Sequence, residues 1–166
     1  MVITPHLLIG AAIGSKVKNT GWIVVLAVLS HILLDKIPHW DYPPKSLRSS
    51  VRNKNFKAIL LFFLMILGDT LIGILILGIA LHINPSNLNR LMFIILGILS
   101  SLILDILAGC GTLIGGINKK FQKIADLYID FHENVIHSPK KIKKPTLLGV
   151  GSQILITLIG VLIILL

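Results

Sequence analysis

Two histidines and two aspartates lie within eleven residues of the chain, at His31, Asp35, His39 and Asp41. His31 and Asp35 are four residues apart, so a helix places them on one face, one turn from each other. Pro38 ends or kinks that helix, and His39 and Asp41 follow the break. Neutral imidazole and carboxylate are both metal ligands. The stretch therefore predicts part of a divalent metal site, with Asp41 as its weakest candidate because it can instead cap a helix or pair with a lysine.

Other carboxylates and imidazoles stand elsewhere in the chain. Asp69 and Asp105 lie in long apolar segments with no basic residue within one turn, and charged groups in hydrocarbon normally pair, line a cavity or bind an ion. An interhelical hydrogen bond or a helix cap explains each of them equally well when it is taken alone. Together they would repel one another unless cations lie between them, which favours a metal site. The candidate metal ligands are His6, His31, Asp35, His39, Asp105 and His132, and the candidate catalytic groups are Asp69 and Asp105.

The mixture of imidazoles and carboxylates suits zinc first, and also manganese or iron. Six candidate ligands exceed the four of a tetrahedral ion, so the site has room for one or two ions. A bound metal lowers the pKa of its water and supplies a hydroxide nucleophile, with a spare carboxylate or histidine as general base. Cys110 is the only cysteine, so a thiolate cluster is excluded.

His132 and His137 flank a glutamate in a way that resembles a metalloprotease helix, but they are five residues apart. That motif requires two histidines four apart on one helical face. Either histidine alone can still complete the site from its loop, or both can be solvated loop residues.

Composition predicts a single integral membrane domain over residues 1–166. Hydrophobic residues make up 54% of the chain and charged residues 14%, with a mean hydropathy of +0.89, whereas about 25% of a soluble domain is charged. The apolar segments predict an all-α polytopic membrane bundle of about four long helices plus a short N-terminal helix. The short helix lies within 1–18, with Thr4 as its cap and Pro5 as its first residue. The long helices lie at about 22–37, 56–81, 90–114 and 146–166, and a further short helix at 119–137.

Stripes of small residues at four-residue spacing predict which helix faces meet other helices. Gly10 and Gly14 form one stripe, and Gly97 and Ser101 begin another that continues to Asp105. Such residues allow close backbone approach within a membrane.

The net charge of +9 is concentrated in two segments. Six basic residues lie between Lys36 and Lys57, and seven between Lys119 and Lys144. This is the pattern of cytoplasmic loops, here at about 38–55 and 115–145, of a multi-pass inner-membrane protein. The same lysines would attract anionic lipid headgroups. With so few aromatic residues among the basic ones, the charge does not indicate nucleic-acid binding. This orientation places most of the histidines and carboxylates at the cytoplasmic leaflet.

Thr4–His6 and the Ser-His-x-Leu-Leu-Asp-x-x-Pro-His-x-Asp pattern of Ser30–Asp41 resemble a family. They are similar to small bacterial membrane proteins grouped with the YdjM-type, LexA-regulated membrane metal-dependent hydrolases, which are distantly similar to zinc-dependent phospholipase C. The chain lacks the Pro-Asp-x-Asp-His and Gly-His-Arg-Gly-x-Thr-His segments of larger relatives. The resemblance implies a helical metal site carried by His6, His31 and Asp35, with Asp105 and His132 as additions.

The function that fits these observations is metal-dependent hydrolysis of a phosphoester, on a phospholipid or a lipid-linked phosphate at the cytoplasmic leaflet. Two alternatives stay open: transport of a cation or proton through the same cluster, and a noncatalytic membrane scaffold in which these residues only join helices. The apolar run between Leu71 and Leu81 offers a transport path no polar continuation.

Overall fold

The computed structural model describes residues 2–41, 45–136 and 146–166. Within these ranges all regular secondary structure is helical, which confirms the all-α part of the predicted fold class. The seven α-helices of the described residues are α1 Ile3–Lys16, α2 Thr20–Lys36, α3 Lys45–Arg52, α4 Phe56–Ile83, α5 Leu91–Ile117, α6 Lys119–Phe131 and α7 Leu147–Leu165. A 3₁₀ turn, Pro85–Arg90, precedes α5, and a π-helical turn, His132–Ile136, follows α6.

The number of long helices differs from the prediction. Three helical segments of the described residues are long and apolar enough to cross a membrane: Phe56–Ile83, Asn87–Gly116 and Leu147–Leu165. The expected fourth long helix, α2, has 17 residues, or about 26 Å at the rise of an α-helix. The predicted loop at 38–55 also contains α3, an amphipathic helix that an apolar-run criterion does not detect.

The short N-terminal helix is the centre of the bundle. Ten of the 14 residues of α1 are buried, and α1 packs against α2, α4, α5 and α7. His6, near its start, contacts Asp35, near the end of α2, so the two helices run antiparallel. A helix buried on all sides needs an apolar or small residue at nearly every position, and α1 has them.

The predicted small-residue stripes bring α1 and α5 into backbone contact. A Cβ added at Gly14 would lie 2.2 Å from the carbonyl oxygen of Phe93, and one at Gly97 would lie 2.2 Å from the carbonyl oxygen of Gly10. Glycine is therefore the residue that permits this separation. A similar contact joins Gly160 of α7 to the backbone of Leu8.

Polar side chains fix the helix ends at one side of the bundle. The Arg90 guanidinium donates to the carbonyl oxygens of Ser15 and Val17 at the end of α1. The Asn87 amide donates to the carbonyl oxygen of Ile164, near the end of α7, at 2.7 Å. These bonds satisfy carbonyl groups that the helix ends leave without intrahelical partners.

At the opposite side, α2 ends where α7 begins, whereas α4 and α5 continue further. The Ser152 hydroxyl donates to the carbonyl oxygen of Pro38 at 2.9 Å, and the Gln153 amide donates to that of Trp40. α3 packs against α4 and α5, and α6 packs against α5, along this extension. On this side, α3, α6 and the extended parts of α4 and α5 therefore project beyond the end of α2 and the start of α7.

Gly14→Ala is predicted to destabilise the bundle, because its Cβ meets backbone atoms of α5 that cannot rotate away. Overpacking of this kind costs about 1–3 kcal/mol, measurable as a lower midpoint in thermal or denaturant unfolding of the purified protein. Gly78→Ala is the matched control, since nothing lies within 4 Å of its added Cβ and alanine favours a helix by up to about 1 kcal/mol. If the two variants changed the unfolding midpoint equally, the close backbone contact between α1 and α5 at Gly14 would be contradicted.

Candidate metal centre

Four of the predicted ligands converge on one point. His31 and Asp35 come from α2, Asp105 from α5, and His132 from the π-helical turn after α6. One ligand atom from each lies within 4.8 Å of all the others. Such a group of two imidazoles and two carboxylates matches the donors that zinc, manganese or iron use in proteins.

His31 is oriented by the backbone of α5. Its Nδ1 lies 2.7 Å from the carbonyl oxygen of Ser101, and a carbonyl only accepts, so Nδ1 carries a proton and donates it. In the neutral ring Nε2 then carries a lone pair. His31 Nε2 lies 3.2 Å from Asp35 Oδ2 and 3.9 Å from Asp105 Oδ1. A nitrogen and two carboxylates that face one another at these distances require either a proton on His31 Nε2 or a bound cation between them.

His6 holds the other oxygen of the Asp35 carboxylate. Its Nε2 lies 3.2 Å from Asp35 Oδ1, and its ring stacks on that of His31 with centroids 4.3 Å apart. All three side chains are buried. His6 therefore lies beside the four converging groups and fixes the orientation of Asp35, as residues around metal ligands commonly do.

His132 reaches the site because α6 folds back along α5. Gly111 and Gly115 of α5 lie against Ala125, and the helix then leads back toward Asp105. His132 Nε2 lies 3.5 Å from Asp105 Oδ1. Helical segments with π geometry occur frequently at functional sites, and here the π turn starts at His132 itself.

The site is closed on one side and open on the other. The side chains of His31 and Asp35 are 0% and 1% exposed, whereas that of Asp105 is 29% exposed. Catalytic metal sites keep an accessible position, whereas structural sites are closed. Asp105 is therefore the member of the group that a water or a substrate can reach.

Asp105 lies well before the end of its helix. Ile117, the last residue of α5, is twelve positions further along the chain, or about 18 Å along the axis. Asp105 is level with the last turns of α2, because its Oδ1 lies 3.9 Å from His31 Nε2. α5 therefore continues beyond the cluster, and α3 and α6 pack against this extension.

Asp69 is not part of the cluster. Its Oδ2 accepts from the backbone N–H groups of Ile3 at 2.6 Å and Thr4 at 3.1 Å, and its Oδ1 accepts from the Thr4 hydroxyl at 2.7 Å. The structure therefore places this candidate catalytic group as a cap for the N-terminus of α1. The prediction that Thr4 caps this helix is wrong: α1 begins at Ile3, before Thr4, and a carboxylate from α4 fills that role.

His39 is buried just beyond α2, with its Nδ1 2.6 Å from the carbonyl oxygen of Ile37. Burial lowers the pKa of its imidazole. Neither His39 nor Asp41 is among the four converging groups. His137 lies outside the described residues, and so do the lysines at 140–144.

Three residues that shape the site were not expected from the sequence. Tyr128 donates its hydroxyl to the carbonyl oxygen of Leu104, next to Asp105, at 3.1 Å, and burial together with that carboxylate raises its pKa. Lys36 donates to the carbonyl oxygen of Val135 in the π turn. Ser101 was recognised only as part of a small-residue stripe. Backbone carbonyls that accept from side chains leave no signal in a sequence, so these roles could not be inferred from it.

No protein-family model, curated protein or solved structure matches the chain. The resemblance to membrane metal-dependent hydrolases therefore stays a prediction, and the functional argument depends on the site itself.

Replacing Asp69 separates its capping role from a catalytic one. Asp69→Ala leaves the first N–H groups of α1 without their acceptor and should lower the free energy of unfolding by about 1–2 kcal/mol. Asp69→Asn removes the charge but keeps an acceptor oxygen, so it should unfold close to wild type. Both variants should bind as much metal as wild type does. Loss of bound metal in Asp69→Asn, measured by elemental analysis, would contradict this assignment.

Proposed function

We propose that this chain is a multi-pass inner-membrane protein that binds a divalent metal and hydrolyses a phosphoester at the cytoplasmic leaflet. The observation that carries the proposal is the convergence of His31, Asp35, Asp105 and His132, with His31 Nε2 facing two carboxylates. Burial of these charges in an apolar bundle is costly unless a cation compensates it.

The bilayer part of the proposal is supported by the three long apolar helices. Their outer surfaces consist largely of exposed leucine, isoleucine and phenylalanine, as lipid-facing surfaces do. The basic residues at 36–57 and 119–144 place the end of α2, the start of α4 and the start of α7 on the cytoplasmic side. The metal cluster then opens toward that side, and the turn between α4 and α5 lies outside.

The metal part is supported by the donor set and by the residues around it. His31, Asp35, Asp105 and His132 would hold one ion, with zinc favoured and manganese or iron as alternatives. A bound divalent ion would supply a Lewis acid and a hydroxide nucleophile at neutral pH. The Ser101 carbonyl fixes His31, and His6 fixes Asp35, so the two buried ligands are oriented before an ion binds.

The catalytic part is supported by the exposed edge of the site. Asp105 is the accessible carboxylate and can hold or accept a proton from a water molecule beside the substrate. The phosphoester class is favoured by the family resemblance and by the affinity of divalent metals for phosphoryl oxygens. The membrane location suits a lipid or a lipid-linked phosphate.

Metal content is the first test. Detergent-purified protein equilibrated with zinc and dialysed should retain about one ion per chain in elemental analysis, as four converging ligands imply. His31→Ala and Asp105→Ala should each remove most of it. His82→Ala is the matched control, because His82 is an exposed histidine on the last turn of α4, at the other end of the bundle. A protein without metal, or equal retention in all variants, would overturn the proposal.

Hydrolysis is the second test. The metal-loaded protein should release nitrophenol from bis(4-nitrophenyl) phosphate, and glycerol phosphate with diacylglycerol from phosphatidylglycerol vesicles. A chelator should abolish both reactions, and added zinc should restore them. His6→Gln should reduce metal affinity about 10–100-fold without abolishing activity at saturating metal, because it orients a ligand. Metal-dependent cation flux into vesicles without hydrolysis would favour a transport function instead.

A further inference from the structure

α6 presents three different faces. One face packs against α5, where Ala125 and Ile129 are buried. At this face a Cβ added to Gly115 would lie 2.8 Å from that of Ala125. The same face continues to His132, since the three positions are spaced by four and three residues. α6 is therefore attached to α5 along its length, and its orientation follows that of α5.

A second face is polar and is held by α3. Arg48 contacts Asp126 and Asp130 at 2.7 and 2.8 Å, and Arg52 contacts Asp126 at 2.6 Å. Burial acts to raise the pKa of Asp126, but the hydrogen bonds from the two arginines outweigh it and the pKa lies below its ordinary value. These ion pairs neutralise both carboxylates of the face.

The third face is apolar and exposed. Ile124 and Leu127 are 68% and 73% exposed, and Phe131 follows on the same side. Spacings of three and four residues make this a continuous stripe. A water-soluble surface rarely leaves an apolar stripe of this kind uncovered.

Charge identifies what covers the stripe. Lys119, Lys120 and Lys123 are exposed in the first turns of α6, and no ion pair joins these three lysines to another described residue. Thirteen residues separate the start of α6 from the π turn, or about 20 Å. A helix with lysines at one end and an apolar stripe along one side suits anionic headgroups at its start and acyl chains along its length.

We propose that α6 is a lipid-embedded helix, with Lys119, Lys120 and Lys123 bound to anionic lipid phosphates and the stripe of Ile124, Leu127 and Phe131 immersed among acyl chains, deeper toward His132. The depth gradient follows from the antiparallel packing of α6 on α5. This inference rests on the bilayer location in the proposed function and is independent of the metal chemistry. α6 would thus link the lipid composition of the membrane to the element that supplies one ligand.

Spin labelling tests the depth of the stripe. In a Cys110→Ala background, nitroxides are attached at Phe121→Cys, Leu127→Cys and Phe131→Cys in the full chain. The protein is reconstituted in phosphatidylcholine vesicles containing phosphatidylglycerol. Collision with oxygen should exceed collision with a water-soluble nickel chelate several-fold at the last two positions, and the calculated depth should increase from 121 to 131. Asn53→Cys is the aqueous control and Leu64→Cys the lipid control, because both residues are exposed.

The outcomes at α6 and at the controls are distinguishable. The inference is overturned if labels at Leu127 and Phe131 collide with the nickel chelate as often as the label at Asn53 does. It is also overturned if these labels are protected from both oxygen and the nickel chelate, because such protection indicates a protein partner. In both cases, oxygen-dominated collision at Leu64 would still support the bilayer location. Aqueous values at Leu64 as well overturn the bilayer location itself.

The lysines are tested by lipid titration. The wild-type protein should bind phosphatidylglycerol more tightly than phosphatidylcholine, followed as a rise in Tm. Changing Lys119, Lys120 and Lys123 to glutamine should weaken the apparent affinity for phosphatidylglycerol about fivefold for each lysine removed. The control Lys16→Gln/Lys18→Gln, at the opposite end of the bundle, should keep it. Full retention of the preference in the triple variant overturns the headgroup contact.

Discussion

Ser101 joins the three helices on which the candidate site depends. Its hydroxyl donates to the carbonyl oxygen of His6 on α1 at 2.9 Å, and its carbonyl accepts from His31 on α2. The contact to His6 requires α1 to lie directly on α5, and only glycines at positions 10, 14 and 97 allow that separation. The close packing of small residues therefore sets the position of His6 relative to the Ser101 carbonyl that orients His31.

This arrangement makes the core of the bundle and the candidate metal centre one unit. His6, His31 and Asp35 are as fully buried as the apolar residues of α1, and an ionised carboxylate in such surroundings is costly without a compensating charge. Two imidazoles contact Asp35, and His31 Nε2 faces oxygens of both Asp35 and Asp105. Removing one of these imidazoles would leave the Asp35 carboxylate with fewer compensating contacts. A cation bound here would stabilise the folded chain for the same reason.

The helical secondary structure and most of the clustered histidines and aspartates could be predicted from the sequence, whereas the position of α1 could not. A spacing of four residues placed His31 and Asp35 on one helix face and revealed the small-residue stripes of α1 and α5, because such spacings are local signals. The central position of α1 depends on packing with four other helices, which no local pattern records. The contribution of His132 depends on α6 folding back along α5, through contacts between residues far apart in the chain. Likewise α3 and the polar face of α6 pair through arginines that a topology argument treats only as loop charges.

Asp69 and Asp105 show why an aspartate in an apolar helix cannot be assigned from its own surroundings. Both stand among leucine and isoleucine without a basic neighbour, so their local sequences predict the same environment. Asp69 and Asp105 differ in the groups that other helices place around their carboxylates. The start of α1 brings to Asp69 unpaired N–H groups and the positive end of a helix dipole, which satisfy a carboxylate fully. α2 and the π turn bring to Asp105 two imidazoles whose nitrogens can be lone-pair donors. A carboxylate that meets N–H groups becomes a cap, whereas one that meets imidazole nitrogens needs a proton or a bound cation between them, and this contrast distinguishes the cap Asp69 from the candidate ligand Asp105.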